Sequence, residues 1–253
     1  MSKIQNIAGC FITAIRTLTI LPIPGRDTEC PANAFYFFPL IGLLIGGAVL
    51  LAAWFLAAKI GWTFGAALAG IFVLVCLTRG LHLDGLSDTV DAVFAAQTHK
   101  KRLQIMKDPH IGAFGAAAVF LALLCKAVSL ERLCSTGHWS WIILPIVLSR
   151  TVMVLVAVSL PYARAEGGKA RSFFTGARSA HIWIAGAMSL LICYLQAGIV
   201  GLSAAAGALA IGLLLIQWMK QNFGGATGDL LGFAGENTEC ILYFFLALIS
   251  VFL

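Results

Sequence analysis

Charge is what this chain has least of. It carries 17 Lys/Arg and 11 Asp/Glu among 253 residues, or 11%, where about 25% is usual in soluble domains. So few charges cannot cover the surface of a folded soluble protein of this size. With 60% hydrophobic residues and a mean hydropathy of +0.94, a soluble enzyme, a disordered chain and a nucleic-acid module are excluded. A polytopic α-helical membrane protein is left. The net charge of +6 then reads as basic cytoplasmic loops, and no nucleic acid is expected as a partner. A C-x-x-C pair is also missing. The seven cysteines are odd in number, and several sit in apolar runs, so they read as small buried hydrophobes, not disulfides or a zinc site. There is no H-E-x-x-H, no P-loop lysine and no nucleophile elbow. Neither an internal repeat nor a soluble-domain boundary interrupts residues 1–253, which are expected to form a single integral-membrane domain. No cleavable signal is evident.

What is present is a series of apolar runs. Candidate spans are 36–58, 62–78, 111–130, 140–160, 181–197, 198–219 and a short last run, 240–253. The expected fold is an all-α transmembrane bundle of six or seven spans with cytoplasmic catalytic loops. Residues 4–20 carry Arg16 and run into Pro22 and Pro24, which suits an interfacial or re-entrant segment in contact with membrane lipid. Long segments at 1–35, 79–110, 161–180 and 220–239 alternate with tight turns, so span parity puts all four on one side. Thirteen Lys/Arg, Lys3 included, lie on that side, against Lys59 and Arg132 on the other. The positive-inside rule makes it cytoplasmic. Ten of the eleven acids fall in or beside the same segments, which that rule does not require. Lys126 and Arg150 alone lie within spans. Lys126 is near enough to an end to snorkel, whereas Arg150 needs a phosphate or carboxylate partner.

Four clusters carry chemistry. In Leu81-His82-Leu83-Asp84-Gly85-Leu86-Ser87-Asp88-Thr89-Val90-Asp91, the aspartates stand at i, i+4 and i+7 and share one helical stripe. Either the stripe is a solvated acidic face, or its mutual repulsion is offset by a hard divalent cation, Mg²⁺ or Mn²⁺, that bridges to substrate phosphate. Asp84, Asp88 and Asp91 are candidate metal ligands, and His82 either is structural or positions a carboxylate or binds phosphate. A glycine-rich turn, Gly224–Gly232, offers Gly225, Thr227 and Gly228 to an anion and Asp229 as a further ligand; alternatively Asp229 caps a helix. Glu236 and Glu239 follow as helix-terminating acids. Tyr162–Arg171 holds Arg164, Lys169 and Arg171, suited to phosphate oxygens. At Ile105–Gly112, Lys107 joins the phosphate-binding set, and Asp108 either joins the acidic group or caps the next helix before Pro109. Asp91, His82 and Asp108 form the candidate catalytic set. Arg150 is placed with the phosphate-binding residues.

Taken in order, these blocks resemble the cobalamin synthase family, the adenosylcobinamide-GDP ribazoletransferases. Phe38–Gly46 is similar to the family's F-P-L-I-G-x-x-I/L-G, Leu81–Ala92 to its H-L-D-G-L-A/S-D-T-x-D block and Ile105–Gly112 to its I-M-R/K-D-x-x-x-G. Ser149-Arg150, Tyr162–Gly167 and Gly224–Glu239 supply the S-R pair, the Y-A-R-x-E-G block and the G-G-x-T-G-D-x-L-G…E…E block. Arg79-Gly80 and Gly168-Lys169-Ala170-Arg171 depart from the pattern. The resemblance implies a Mg²⁺-dependent enzyme that joins adenosylcobinamide-GDP to α-ribazole or its 5′-phosphate. It would release GMP late in cobalamin biosynthesis, and an oligomer is compatible. Two other classes compete. A CDP-alcohol-type phosphotransferase would need D-G-x-x-A-R and a longer aspartate spacing, absent here. A transporter would place its acids at midplane and show interrupted spans in two matching halves.

The sidedness is testable. Cysteines introduced at positions 99 and 176 are expected to react with an impermeant maleimide only from the inner face. Labelling of both from outside intact cells reverses the topology.

Overall fold

The computed structural model describes residues 3–252, with side chains from Ile7 onward; the Lys3 side chain and Leu253, both used above, lie outside the described residues. Ten α-helices follow one another: α1 (Lys3–Leu18), α2 (Phe38–Ile60), α3 (Thr63–Thr78), α4 (Leu81–Ala95), α5 (His99–Ile105), α6 (Ala113–Ser135), α7 (Ile143–Ser159), α8 (Arg171–Thr175), α9 (Ser179–Phe223) and α10 (Gly228–Ile249). Short 3₁₀ turns at Pro31–Phe37 and Trp139–Ile142 lead into α2 and α7. Among the described residues there is no strand, only an isolated bridge between Tyr162 and Ala226. The protein is therefore an all-α polytopic membrane protein, whose runs are helical because a backbone in lipid must satisfy its own hydrogen bonds.

The 45 residues of α9 would extend about 67 Å at 1.5 Å per residue, twice a hydrocarbon core. They do not run straight. Ala197 and Gly198 leave helical geometry, Gly198 at φ 54° and ψ −129°, a combination open essentially to glycine. A Cβ on Gly201 would lie 2.0 Å from the Cys193 carbonyl oxygen. Residues eight apart touch in this way only if the chain reverses, so α9 is two antiparallel arms, split where the apolar pattern places the break. Ser140 Oγ donates to the Gln196 carbonyl at 2.8 Å and holds the reversal against the neighbouring turn.

At the other end of the bundle α3 stops on two left-handed residues, Arg79 and Gly80, and α4 leaves it at 86°. With α3 along the membrane normal, α4 lies across the end of the bundle, outside the spans. Here α2, α6, α10 and the first arm of α9 begin, and α3, α7 and the second arm finish. The bundle thus has one polar end, roofed by α4, α5 and α8. The expected segment 4–20 is represented by α1, whose apolar part, Ile7–Leu18, is too short to cross. Arg16 ties it to the following loop through the Ile23 and Gly25 carbonyls and through Asp27 at 2.8 Å.

Three expectations are corrected here. The last span does not begin at Cys240 but at Gly228, so residues 228–239 are membrane helix and not loop. Glu236 and Glu239 do not terminate a helix; they lie inside one, fully buried. Lys126 does not snorkel. It is 1% exposed and donates to Glu236 Oε2 at 2.7 Å and Glu239 Oε2 at 2.6 Å. Arg150 Nη1 and Ser149 Oγ meet the other oxygen of Glu239 at 2.8 and 2.9 Å. Two cations on α6 and α7 are thereby matched by two acids on α10. The pattern misled because a carboxylate reads as a loop residue until its partner, more than a hundred positions away, is known.

Removing one member strands the others. Glu239→Ala leaves Arg150 without its ion-pair partner in a dry interior, which is expected to cost about 3–5 kcal/mol. The measurement is thermal unfolding in detergent; an unchanged midpoint would show that the charges are solvated.

Candidate active site

The site is assembled where α4 crosses α10. A Cβ on Gly85 would sit 2.3 Å from the Asp229 carbonyl oxygen, and one on Gly232 3.1 Å from the His82 Cα. At Gly85 only hydrogen lets the two backbones approach so closely, and at Gly232 a methyl group would be tight. Asp229, in the first turn of α10, is thereby drawn to the acidic face of α4, although about 140 positions separate it from Asp84 and Asp88.

The four aspartates do not share one environment. Asp84 is exposed, and Asp88 and Asp229 are half-buried. Burial, and then the charges of Asp84 and Asp229, lift the Asp88 carboxyl to about 7, with Arg164 opposing. Asp229 accepts from Arg164 Nη2 at 2.7 Å. Among the described residues Arg164 is thus the one cation paired directly with this group. Asp91 is turned elsewhere. Its oxygens accept from the backbone N–H of Gly112 at 2.7 Å and of Gly115 at 2.8 Å, capping the amino end of α6. Among the described residues no three His, Cys, Asp or Glu side chains stand as a preformed ligand group. The donor chemistry nevertheless suits a hard divalent cation. The Asp84, Asp88 and Asp229 carboxylates lie near enough to repel one another, and the repulsion that raises Asp88 is what such an ion would relieve.

Other expected residues fall into two groups. His82, Lys107, Arg164, Lys169, Gly228 and Asp229 line one cavity of about 530 Å³. Lys107 is ion-paired with Glu166 across the two loops, which holds the Glu166 carboxyl below its usual range. The remaining residues are occupied by the fold. Arg150 is not at the phosphate site: it is 0% exposed and bonded to Glu239. Thr227 caps α10, accepting from the Leu230 N–H at 3.3 Å. Gly225 allows the 161–163 loop to pair with Ala226; a Cβ there would strike the Pro161 carbonyl at 2.5 Å, while Ala163 N–H donates to Ala226 and Ala226 N–H to Pro161, each at 2.9 Å. Asp108 neither reaches the carboxylates nor caps α6. It accepts from the His110 backbone N–H at 3.0 Å, and hydrogen bonds from that backbone and ring hold its carboxyl below the usual range. His82 points away from the carboxylates. It is 2% exposed, and neither ring nitrogen has a hydrogen-bond partner.

A second cavity, of about 520 Å³, lies on the other flank of α4 against Asp84, Asp88, Arg79 and His110. The acidic stripe therefore stands between two chambers, with Leu81 common to both. Sequence reasoning missed the aromatic lining of the first chamber, from Phe35, Phe38, Tyr162 and Phe173. Phe35 and Phe38 are near one another in the chain, but Tyr162 and Phe173 lie far along it, and no motif joins the two pairs.

A bundle of membrane helices with a carboxylate- and cation-lined site at one end defines a polytopic membrane protein of the acidic-site class. More narrowly, the model of the cobalamin-5-phosphate synthase family, CobS, matches residues 10–247, and the chain belongs to that family. It is 42% identical over 251 residues to the adenosylcobinamide-GDP ribazoletransferase of Chlorobium phaeobacteroides, covering 95% of this chain and 99% of that protein. A ribazoletransferase of Chlorobaculum parvum is 39% identical, with 94% of both chains covered. That of Syntrophobacter fumaroxidans is 38% identical, over 92% of this chain and 95% of its own. No solved structure matches.

The close crossing generates a test. Gly85→Ala puts a methyl group where the Asp229 carbonyl stands and must part α4 from α10. A displacement near 1 Å at reacting groups costs about 10²-fold in rate, so turnover is expected to fall on that scale while the protein still inserts. Steady-state kinetics on the purified variant decides; wild-type turnover would mean that the crossing does not set the site.

Proposed function

We propose that this chain is an adenosylcobinamide-GDP ribazoletransferase. It joins adenosylcobinamide-GDP to α-ribazole or its 5′-phosphate, giving adenosylcobalamin or its 5′-phosphate and GMP. Family membership and the names of the relatives support this reading. The structural observation that carries it is the meeting of Asp84 and Asp88 with Asp229 and Arg164 across the α4–α10 crossing, beside a chamber edged by Lys107 and Lys169.

The reaction is a substitution at phosphorus. A hydroxyl of the ribazole attacks the phosphorus that bears the corrinoid aminopropanol arm. The bond from that phosphorus to the bridging oxygen breaks, and the oxygen leaves with GMP. Arg164, held at its Asp229 pairing, is placed to grip non-bridging oxygens. Lys107 and Lys169 add positive charge at the chamber edge. The hydroxyl proton passes to a carboxylate oxygen of the aspartate group that the metal leaves free. Magnesium held by Asp84, Asp88 and Asp229 would neutralise the diphosphate and the charge developing on the leaving oxygen. Asp91 positions: by capping α6 it anchors the 105–112 loop and with it Lys107.

The excess of basic residues at the polar end supports a cytoplasm-facing site in a bacterial inner membrane. A CDP-alcohol-type activity differs in its leaving group, so nucleotide release separates the two.

The purified protein is expected to release GMP from adenosylcobinamide-GDP only when α-ribazole or its phosphate and Mg²⁺ are supplied. Asp88→Asn and Asp229→Asn should each lower kcat at least ~10²-fold. The double variant should lose far less than the product of the two, because both residues serve one site. CMP release from a CDP-alcohol, or near-normal turnover by Asp229→Asn, overturns the assignment.

A further inference from the structure

The chamber of about 530 Å³ has a polarity gradient. Its edge carries Lys107, Arg164 and Lys169, whereas its depth is walled by Phe35, Phe38, Phe173 and neighbouring aliphatic side chains. Phe35 packs edge-on to Phe38 at 5.0 Å between centroids and against Phe173 at 5.6 Å, so the rings form one continuous surface. Beside these rings His82 is buried with both nitrogens unpartnered, and the Arg164 Nε is buried and unpartnered as well. Buried polar groups normally find partners. A neutral imidazole has one N–H to donate and one nitrogen to accept. The lining therefore asks for a flat, largely apolar ring system with very few hydrogen-bonding atoms.

Resting on the ribazoletransferase reading, we infer that this chamber binds the acceptor: the benzimidazole-type base of α-ribazole lies against the Phe35–Phe38–Phe173 wall, and His82 donates its N–H to the free ring nitrogen. Size excludes the other candidates first. A corrin macrocycle with its side arms is several times larger than a nucleotide, and this volume suits a drug-sized molecule. Chemistry excludes the guanosine of the donor. Guanine presents several donors and acceptors around its edge, and most would be buried here without partners. An N-glycosylated benzimidazole has one free ring nitrogen, which the His82 N–H satisfies. Its ribose then lies at the chamber edge, next to Asp229 and Arg164, where the attacking hydroxyl is needed. A phosphate on the ribose would meet Lys107 or Lys169. The donor is left the opposite flank of α4, against Asp84 and Asp88. His82 is thus a substrate-binding residue that sets acceptor affinity.

The test measures each substrate separately on full-length protein in detergent. Calorimetric titration of wild type with α-ribazole is expected to show binding. Phe173→Ala and His82→Leu should weaken it at least about tenfold, the scale of losing one stacking or hydrogen-bonding partner. His82→Gln, which keeps an N–H donor, should recover most of the loss. The affinity for adenosylcobinamide-GDP should stay within about threefold of wild type in all three, with thermal unfolding to confirm folding. In turnover, KM for α-ribazole should rise with little change in KM for the donor. No binding of α-ribazole to wild type, equal binding by Phe173→Ala, or a loss confined to the donor each overturns the inference. Failure of the function reading looks different: wild type would bind α-ribazole as described yet release no GMP when both substrates and Mg²⁺ are present.

Discussion

Four charges in a membrane interior set the geometry on which the rest depends. Lys126, Arg150, Glu236 and Glu239 would each be expensive alone in hydrocarbon, and they are stable only in contact with one another. Contact fixes the rotation and height of α10 against α6 and α7, because two acids three positions apart must meet cations from two different helices. Asp229 lies two turns from Glu236 on the same rigid helix. Its position over α4 therefore follows from ion pairing in the middle of the bundle. The reactive end and the buried charges are one mechanical unit, joined by α10 and closed by the close crossing at Gly85 and Gly232.

Much of this was legible in the chain itself. Apolar runs place the helices, and the break near Gly198 is visible as a lapse between two runs. The i, i+4, i+7 aspartates predict a helical stripe, which α4 carries. Span parity puts Asp229 at the same end as that stripe. What failed to show depends on distance in sequence. Glu236 and Glu239 look like loop residues by composition, and only the positions of Lys126 and Arg150 explain how a span accommodates them. Arg150 looks like a phosphate ligand for the same reason: a buried cation announces that it needs an anion, without saying which. Asp91 shares the spacing of Asp84 and Asp88 but not their surroundings, because spacing fixes a face and not what that face meets. The aromatic chamber had no signal at all, since its rings come from the Pro31–Phe37 turn, α2 and α8.

The two flanks of α4 divide the labour of a two-substrate reaction. One is apolar at depth with cations at its edge, the other acidic with Arg79 and His110 beside it. A helix laid across the end of the bundle can present both sides to separate molecules while keeping its carboxylates between them, which a helix buried in the bundle cannot do. The left-handed pair Arg79-Gly80 makes that placement by stopping α3 and turning the chain through 86°.

The pairing of α10 with earlier helices also bears on biogenesis. Translation delivers α6 and α7 first, each with an unmatched cation, and the two glutamates that neutralise them come only with the helix that also brings Asp229. Until then the nascent bundle carries positive charges that hydrocarbon penalises by about 2.5–3.5 kcal/mol apiece on insertion scales. Docking of the last helix relieves that penalty and completes the carboxylate group in one step. A chain that stalls or is cut before α10 is both inactive and electrostatically marked as incomplete, so assembly and competence for chemistry are coupled through the same segment.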